Sequence, residues 1–126
     1  MSKAITCKFK RRKYIKLLKC VIRPSALEQV KNSLKKLGVV GITVNEVRGF
    51  GRQKGHTEIY RGAEYANDFT PKLNIEVVVT NDVSEQCVDA ICEASKTGNI
   101  GDGKIFIVPV DEVVRIRTGE TGDSAI

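Results

Sequence analysis

Tryptophan is absent from this chain of 126 residues, and the other aromatic residues are only four phenylalanines and three tyrosines. The core must therefore be built from valine, isoleucine and leucine. No stretch is apolar for long enough to cross a membrane, and the N-terminal segment lacks an apolar run of signal-peptide length. We expect a soluble intracellular protein with one domain, because this length suffices for a single two-layer core.

The cysteines and the histidine form no pattern typical of a metal site or a disulfide framework. Cys7, Cys20, Cys87 and Cys92 give no C-x-x-C pair, and His56 has no second histidine to act with. Cys20 falls in a predicted strand, and the last two cysteines fall on the apolar side of a predicted helix, where free thiols behave as small hydrophobic groups. We expect neither zinc nor disulfides, and a solvated His56.

Acidic residues are missing from the first thirteen positions, which hold six of the 21 lysines and arginines. The rest of the chain carries 15 basic and 15 acidic residues, so the net charge of +6 belongs to this terminal segment. A neutral body argues against a protein face that follows nucleic-acid phosphates. We assign residues 1–14 to a basic, disordered tail and residues 15–126 to the folded domain, with no nucleic-acid partner.

Apolar periodicity predicts four main strands and two helices. Ser25 and Glu28 have the spacing of a capping box at the start of the first helix, and Gly38 and Gly98 follow the ends of the two helices. Proline at position 24 ends the first strand. The predicted elements are a strand over 14–22, a helix from 25 to about 37, strands over 39–47 and 73–79, a helix over 83–96, a strand over 104–110 and a last short strand over 113–117.

The order strand, helix, strand, strand, helix, strand is typical of ferredoxin-like folds. We predict an α+β fold, ferredoxin-like βαββαβ, with one antiparallel sheet and both helices on one of its faces. The other face would be left uncovered. An oligomer is the economical way to bury it.

A long polar stretch separates the second and third main strands. Residues 48–65 contain four glycines, three arginines and a lysine, and cannot bury a helical or alternating apolar face. We predict a loop, far longer than an ordinary connection. Loops of this length in compact domains are generally disordered or functional.

Three motifs resemble signatures of the nitrogen regulatory P-II signal proteins. The first covers residues 46–65 and corresponds to the T-loop of that family, the second covers 97–106, and the third covers 114–120. The resemblance extends over about residues 15–126. It implies a homotrimer whose sheets face inward, which binds ATP or ADP and, with Mg-ATP, 2-oxoglutarate. It also implies a regulator that acts on target proteins through the T-loop and has no catalytic residues.

The second motif matches G-x-x-x-x-G-K, but it is not a P-loop, because Ile105 stands where serine or threonine would bind magnesium and the loop leads from a helix into a strand. Its glycines still let backbone N–H groups approach a polyphosphate, and Lys104 adds a positive charge. A plain glycine-rich turn is the alternative. Arg115 and Arg117, two apart in an extended segment, would project to one side and grip phosphates, or else form a solvated edge.

The resemblance assigns nucleotide binding to eight residues of this sequence, with the arginines of the third motif reaching a neighbouring subunit's ligand. These residues are Thr43, Gly49, Arg52, Gly101, Gly103, Lys104, Arg115 and Arg117.

Gln53 and Lys72 lie at the two ends of the long loop. A glutamine carbonyl is an oxygen ligand that suits Mg²⁺, and a lysine suits a carboxylate, although both could be ordinary exposed side chains. The resemblance implies that Gln53 ligates Mg²⁺ and that Lys72 pairs with 2-oxoglutarate. It places the 2-oxoglutarate pocket at Gln53, Lys54, Gly55, Lys72 and Gly101.

The loop also carries residues that the resemblance assigns to regulation. Tyr65 stands at a position that is uridylylated in many bacterial members, Ala63 excludes a phosphoserine switch, and Arg61 matches a residue that contacts an ammonium-channel pore. The implied targets are an ammonium transporter, a uridylyltransferase, a sensor kinase, an acetylglutamate kinase or a carboxyltransferase-linked biotin carrier. The implied location is the cytoplasm, or the plastid stroma in a photosynthetic source, with the membrane reached only through a transporter.

Two other functions compete with the signalling hypothesis. One is a small ATP-hydrolysing enzyme on the same ferredoxin-like scaffold, but the sequence shows no paired carboxylates, activated nucleophile or Cys/His pair. The other is a nucleic-acid-binding module, which the neutral body disfavours. We therefore predict a non-enzymatic signal transducer.

Overall fold

The structure is a computed structural model that describes residues 15–51 and 69–126, together with the backbone of 57–60 and 63–66. The tail assigned to residues 1–14 lies outside this part. The strands are β1 (Ile15–Ile22), β2 (Thr43–Gly49), β3 (Thr57–Tyr60), β4 (Ala63–Ala66), β5 (Thr70–Thr80) and β6 (Gly103–Pro109), and the helices are α1 (Leu27–Lys36) and α2 (Asn81–Ser95). Short 3-10 helices cover Pro24–Ala26 and Gly122–Ala125.

The main sheet has the strand order β2-β5-β1-β6, and all three neighbouring pairs are antiparallel. This order confirms the predicted ferredoxin-like α+β fold. β1 is central because it pairs with β5 on one side and β6 on the other. Ile22 is the residue of β1 that lies opposite both Leu73 of β5 and Gly103 of β6.

The core lies between this sheet and the two helices. Alternate residues of β1 and β5 point toward the helices, since successive side chains of a strand face opposite ways. The fully buried side chains at this interface are aliphatic or thiol groups, as expected from a sequence with few aromatics. They include Leu18, Cys20 and Ile22 of β1, Ile75 and Val77 of β5, Val30 and Leu34 of α1, and Cys87 and Ile91 of α2.

The thiol groups in this core are kept protonated by their surroundings. Burial, with a smaller contribution from Cys92, raises the pKa of Cys20 to about 12, and burial also raises the pKa of Cys87. Cys92 was expected on the apolar side of α2, but it is exposed. The apolar stripe of α2 is narrower than the sequence suggested.

The predicted capping box at the start of α1 is wrong. Arg23 has an extended backbone, φ −68° and ψ 143°, which is the conformation favoured before a proline, and Pro24 takes the first position of the 3-10 turn. Ser25 is therefore inside that turn instead of capping it. Glu28 lies 3.1 Å from the ammonium group of Lys31.

The predicted loop over residues 48–65 is also partly wrong, because it contains an antiparallel ribbon of β3 and β4. Glu58 pairs with Tyr65 and Ile59 with Glu64. Threonine, isoleucine and tyrosine in these short segments favour extended backbone, and this local preference was outweighed in the prediction by the surrounding glycines. The long connection is therefore in part a β-hairpin.

The last predicted strand, over 113–117, is wrong as well. Only Val114 forms a bridge, to Thr121, and the chain turns at residues 116–118. The N–H of Gly119 donates to the carbonyl of Arg115 at 2.7 Å, and Gly119 has a φ of 75°. A left-handed glycine closes a turn that the alternation of apolar and basic residues did not indicate.

The sheet face that points away from the helices is left open by the described residues. Phe106 and Val108 of β6 lie on this face and are 49% and 40% exposed. Lys19 and Val21 of β1 lie on the same face, opposite Phe106 and Lys104 of β6. No helix in the described part of the chain is both long and apolar enough to span a membrane.

We expect that Ile91→Ala lowers the free energy of unfolding by about 2–5 kcal/mol, because it removes a fully buried side chain and leaves a cavity. Urea denaturation followed by circular dichroism measures the change. Val40→Ala is the matched control: Val40 is 93% exposed, so the change should stay within about 0.5 kcal/mol. Equal losses in the two variants would contradict this description of the core.

Candidate functional site

A cleft of about 720 Å³ lies where the base of the long loop meets the loop between α2 and β6. We call the latter, residues 97–102, the glycine loop. Five residues that were singled out in the sequence line this cleft together, namely Gly49, Lys72, Gly101, Gly103 and Lys104. Segments far apart in the sequence thus converge on one site.

The two ends of the long loop are joined at the rim of this cleft. Gly49, the last residue of β2, pairs with Thr70, the first residue of β5. Just beyond that pair, the rings of Phe50 and Phe69 lie 5.8 Å apart at an angle of 53°. A tilted aromatic pair of this kind is favourable, so the loop begins and ends at a fixed position.

Gly103 permits the close approach of β6 to β1 at the floor of the cleft. Its φ is 114°, and a Cβ atom placed on it would lie 1.9 Å from the carbonyl oxygen of Val21. No side chain fits in that space. Glycine at this position is required by the strand pairing itself.

The shape of the glycine loop depends on the carboxylate of Asp102. This group accepts hydrogen bonds from the N–H of Thr97 at 2.7 Å, the hydroxyl of Thr97 at 2.5 Å and the N–H of Gly98 at 2.8 Å. These bonds, that of the Thr97 hydroxyl first, hold the pKa of Asp102 well below its usual range. Asp102 therefore stays ionised, and its hydrogen bonds to Thr97 and Gly98 hold the two ends of the glycine loop together.

Two cations hold successive carbonyl groups of this loop. The guanidinium of Arg23 donates from Nη2 to the carbonyl of Ile100 at 2.8 Å, and its Nε lies 3.3 Å from Oδ1 of Asp102. The ammonium group of Lys72 donates to the carbonyl of Gly101 at 2.5 Å. Lys72 is only 8% exposed, and burial, followed by the charge of Arg23, lowers its pKa, while Asp102 partly offsets this.

Arg23 and Asp102 were not predicted as part of the site. The signals were a basic residue directly before Pro24 and one acid within the glycine-rich motif. Neither shows that the two side chains meet, because they are 79 positions apart in the sequence.

Three predicted nucleotide contacts do not reach the cleft of their own chain. Thr43 lies at the opposite end of β2 from Gly49, about 20 Å along the strand. Arg115 lies 3.4 Å from Glu120 and donates to the carbonyl of Ile126 at 3.4 Å, within the C-terminal segment. The expectation that Arg115 and Arg117 project together from an extended segment is wrong, because the chain turns between them.

The remaining site predictions fall on the long loop. Arg52, Gln53, Lys54, Gly55 and Arg61 lie outside the described residues. Tyr65 belongs to β4, of which only the backbone is described. Their assigned roles stay predictions.

A sequence model of the family described as "Nitrogen regulatory protein P-II" matches residues 15–120. The chain belongs to the P-II family. The P-II protein of Azospirillum brasilense is 57% identical to it over 112 residues, which are 89% of this chain and all of that relative. The P-II 1 protein of Escherichia coli K12 is 54% identical over the same shares of the two chains.

A solved structure agrees with this P-II membership. It is that of Arabidopsis thaliana PII bound to citrate, with a TM-score of 0.74 and 38% identity, covering 90% of this chain and 94% of the other. The relatives are named as regulatory proteins. The P-II chain is therefore a nitrogen regulatory signal transducer, and the alternative of an ATP-hydrolysing enzyme is not supported.

We expect that Gly103→Ala lowers the free energy of unfolding by about 2–5 kcal/mol, because the new methyl group would force β6 away from the carbonyl of Val21. Chemical denaturation measures this. In the control, Gly98→Ala, φ is 90° but nothing lies within 4 Å of the added carbon. Only the cost of the left-handed backbone remains there, about 1–2 kcal/mol. A Gly103→Ala protein as stable as Gly98→Ala would show that the close contact is unimportant.

Proposed function

We propose that this P-II protein binds ATP or ADP in the cleft and, with Mg²⁺ and the nucleotide, 2-oxoglutarate. It reports their presence to target proteins through the long loop. The observation that carries this proposal is the single cleft that the glycine loop shares with the base of the long loop. A ligand there touches both, so its binding favours one arrangement of the loop over another.

The composition of the cleft supports a polyanionic ligand. Gly101 and Gly103 place backbone without a side chain at the cleft, Lys104 and Lys72 offer positive charge, and no acidic side chain is among its described lining residues. Asp102, the acid behind the lining, is already engaged by Arg23 and by Thr97. Phosphate groups match these donors.

The absence of a carboxylate from the described lining of the cleft also determines how Mg²⁺ would bind. Mg²⁺ prefers oxygen ligands and commonly keeps phosphates and water in its octahedron. Since the described lining contributes no carboxylate, Mg²⁺ would enter on the phosphates of ATP, with Gln53 as the protein ligand. This arrangement also gives a small keto acid a place to chelate the metal.

Lys72 supports the binding of a carboxylate. Its ammonium group is buried beside the charge of Arg23, and that environment lowers its pKa, so an anion placed next to it would relieve an unfavourable interaction. The structure of the Arabidopsis relative bound to citrate is consistent with carboxylate binding by this fold. Coupling between 2-oxoglutarate and the nucleotide is reciprocal by linkage.

The proposed targets are an ammonium transporter, a uridylyltransferase, a sensor kinase or an acetylglutamate kinase, in the cytoplasm. In this proposal they recognise the long loop, whose ends are fixed by the pair Gly49 and Thr70. Fixed ends let a change at the cleft alter the loop without disturbing the sheet.

The key prediction concerns 2-oxoglutarate. Calorimetry should show that it binds only with Mg-ATP, and that Lys72→Ala weakens its binding at least tenfold. A buried cation opposite a carboxylate is worth about 1.5–3 kcal/mol as a charge-assisted bond. Lys36→Ala is the matched control, because Lys36 is an exposed lysine of α1.

If the protein binds ATP but does not bind 2-oxoglutarate, the proposed nucleotide site stands and the proposed sensing of 2-oxoglutarate is refuted. Unchanged 2-oxoglutarate affinity in Lys72→Ala would remove Lys72 from the pocket.

We further propose that the protein is a homotrimer whose open sheet faces point inward. Phe106 and Val108 on that face are 49% and 40% exposed in a single chain, and association would bury them. In such a trimer, Thr43, Arg115 and Arg117 would reach the cleft of a neighbouring subunit, since they do not line the cleft of their own chain.

Light scattering coupled to size exclusion should give a mass of about three times the 13.9 kDa of one chain. Phe106→Lys, which places a charge on the proposed interface, should reduce that mass. A monomeric wild-type protein at micromolar concentration would contradict the trimer.

A further inference from the structure

The glycine loop has a defined shape although residues 97–102 form neither helix nor strand. The two ends of the loop are held together by Asp102, whose carboxylate accepts three hydrogen bonds from Thr97 and Gly98. All three bonds lie within the loop. They determine its internal shape but not its position relative to the sheet.

Arg23 fixes that position from outside the loop. Its guanidinium uses two different nitrogens, Nε toward the carboxylate of Asp102 at 3.3 Å and Nη2 toward the carbonyl of Ile100 at 2.8 Å. A planar fork that holds two groups at once restrains orientation as well as distance. The backbone of Arg23 is itself restricted, because it follows β1 directly and precedes Pro24.

The contacts to the carbonyl groups also orient the N–H groups of the loop. In a trans peptide plane the C=O of one residue and the N–H of the next point in opposite directions. The carbonyl of Ile100 points to Arg23, and the carbonyl of Gly101 points to Lys72. The N–H groups of Gly101 and Asp102 therefore point away from these two cations and are held in fixed directions.

We propose that Arg23 is a positioning residue that holds the glycine loop ready for the phosphate groups of a nucleotide. This inference rests on the proposed nucleotide-binding function. Arg23 acts through the loop and not on the ligand, because it does not line the cleft, and two of its three guanidinium nitrogens are directed at the loop. Its effect should therefore grow with the number of phosphates that the loop must hold.

The test compares three variants by calorimetry with AMP, ADP and ATP in buffer without divalent metal. Arg23→Gln removes both the fork and the charge, Arg23→Lys keeps the charge without the fork, and Lys36→Gln removes one exposed charge from α1 as a control. We expect Arg23→Gln to lower the affinity for ATP at least tenfold. The loss of affinity should be smaller for ADP and smallest for AMP. Arg23→Lys should recover only a small part of it, and Lys36→Gln should match the wild type.

Three results would overturn the inference: ATP affinity within twofold of the wild type in Arg23→Gln, equal losses for all three nucleotides, or full recovery by Arg23→Lys. The last result would show that Arg23 acts as a point charge. A wild-type protein that binds no nucleotide would instead refute the proposed function.

A second measurement tests Arg23 without any nucleotide. Nε of Arg23 holds the Asp102 carboxylate that accepts the N–H bonds of Thr97 and Gly98. We therefore expect amide hydrogen exchange at Thr97 and Gly98 to be at least tenfold faster in Arg23→Gln than in Lys36→Gln. Unchanged exchange at both amides would overturn the positioning role whether or not nucleotides bind.

Discussion

The register of the three strands around Ile22 is the constraint on which the rest of this structure depends. Ile22 lies opposite Leu73 of β5 on one side and Gly103 of β6 on the other. The residues adjacent to this row in the three segments are consequently brought to one end of the sheet, and they are Arg23, Lys72 and Asp102. A shift of one residue in the pairing of β1 with β5 or with β6 would turn these side chains to the opposite face, and the cleft would be lost.

This arrangement concentrates charge at low exposure, which is costly unless each charge has a partner. Asp102 is balanced by Arg23 and by hydrogen bonds from Thr97, whereas the hydrogen bond of Lys72 within the described part of the chain goes to the uncharged carbonyl of Gly101. Lys104 adds a further positive charge on the cleft wall. Among the described residues, Arg23, Lys72 and Lys104 together carry more positive charge around the cleft than Asp102 can offset, and this imbalance favours anionic ligands.

The sequence was sufficient for the order of the main elements, because the apolar residues of β1, β5 and α2 follow the periods of strand and helix over long runs. It failed where a single local residue decides the backbone. Pro24 turned a predicted capping box into a 3-10 turn, and Gly119 turned a predicted strand into a tight turn. The glycine loop and Lys72 were recognised from motifs, but Arg23 was missed since its role depends on a contact between residues 79 positions apart. Thr43 was assigned to the nucleotide site by the family resemblance alone, and in this chain it lies at the end of β2 opposite the cleft.

The distribution of thiol groups has a practical consequence for observing this protein at work. Alkylating reagents react with the thiolate, and burial keeps Cys20 and Cys87 protonated, whereas Cys92 is exposed on α2. Cys92 does not line the cleft beside the glycine loop. In a chain whose Cys7 has been replaced, a fluorophore could therefore be attached selectively at Cys92, on the helical side of the sheet and outside the lining of the cleft.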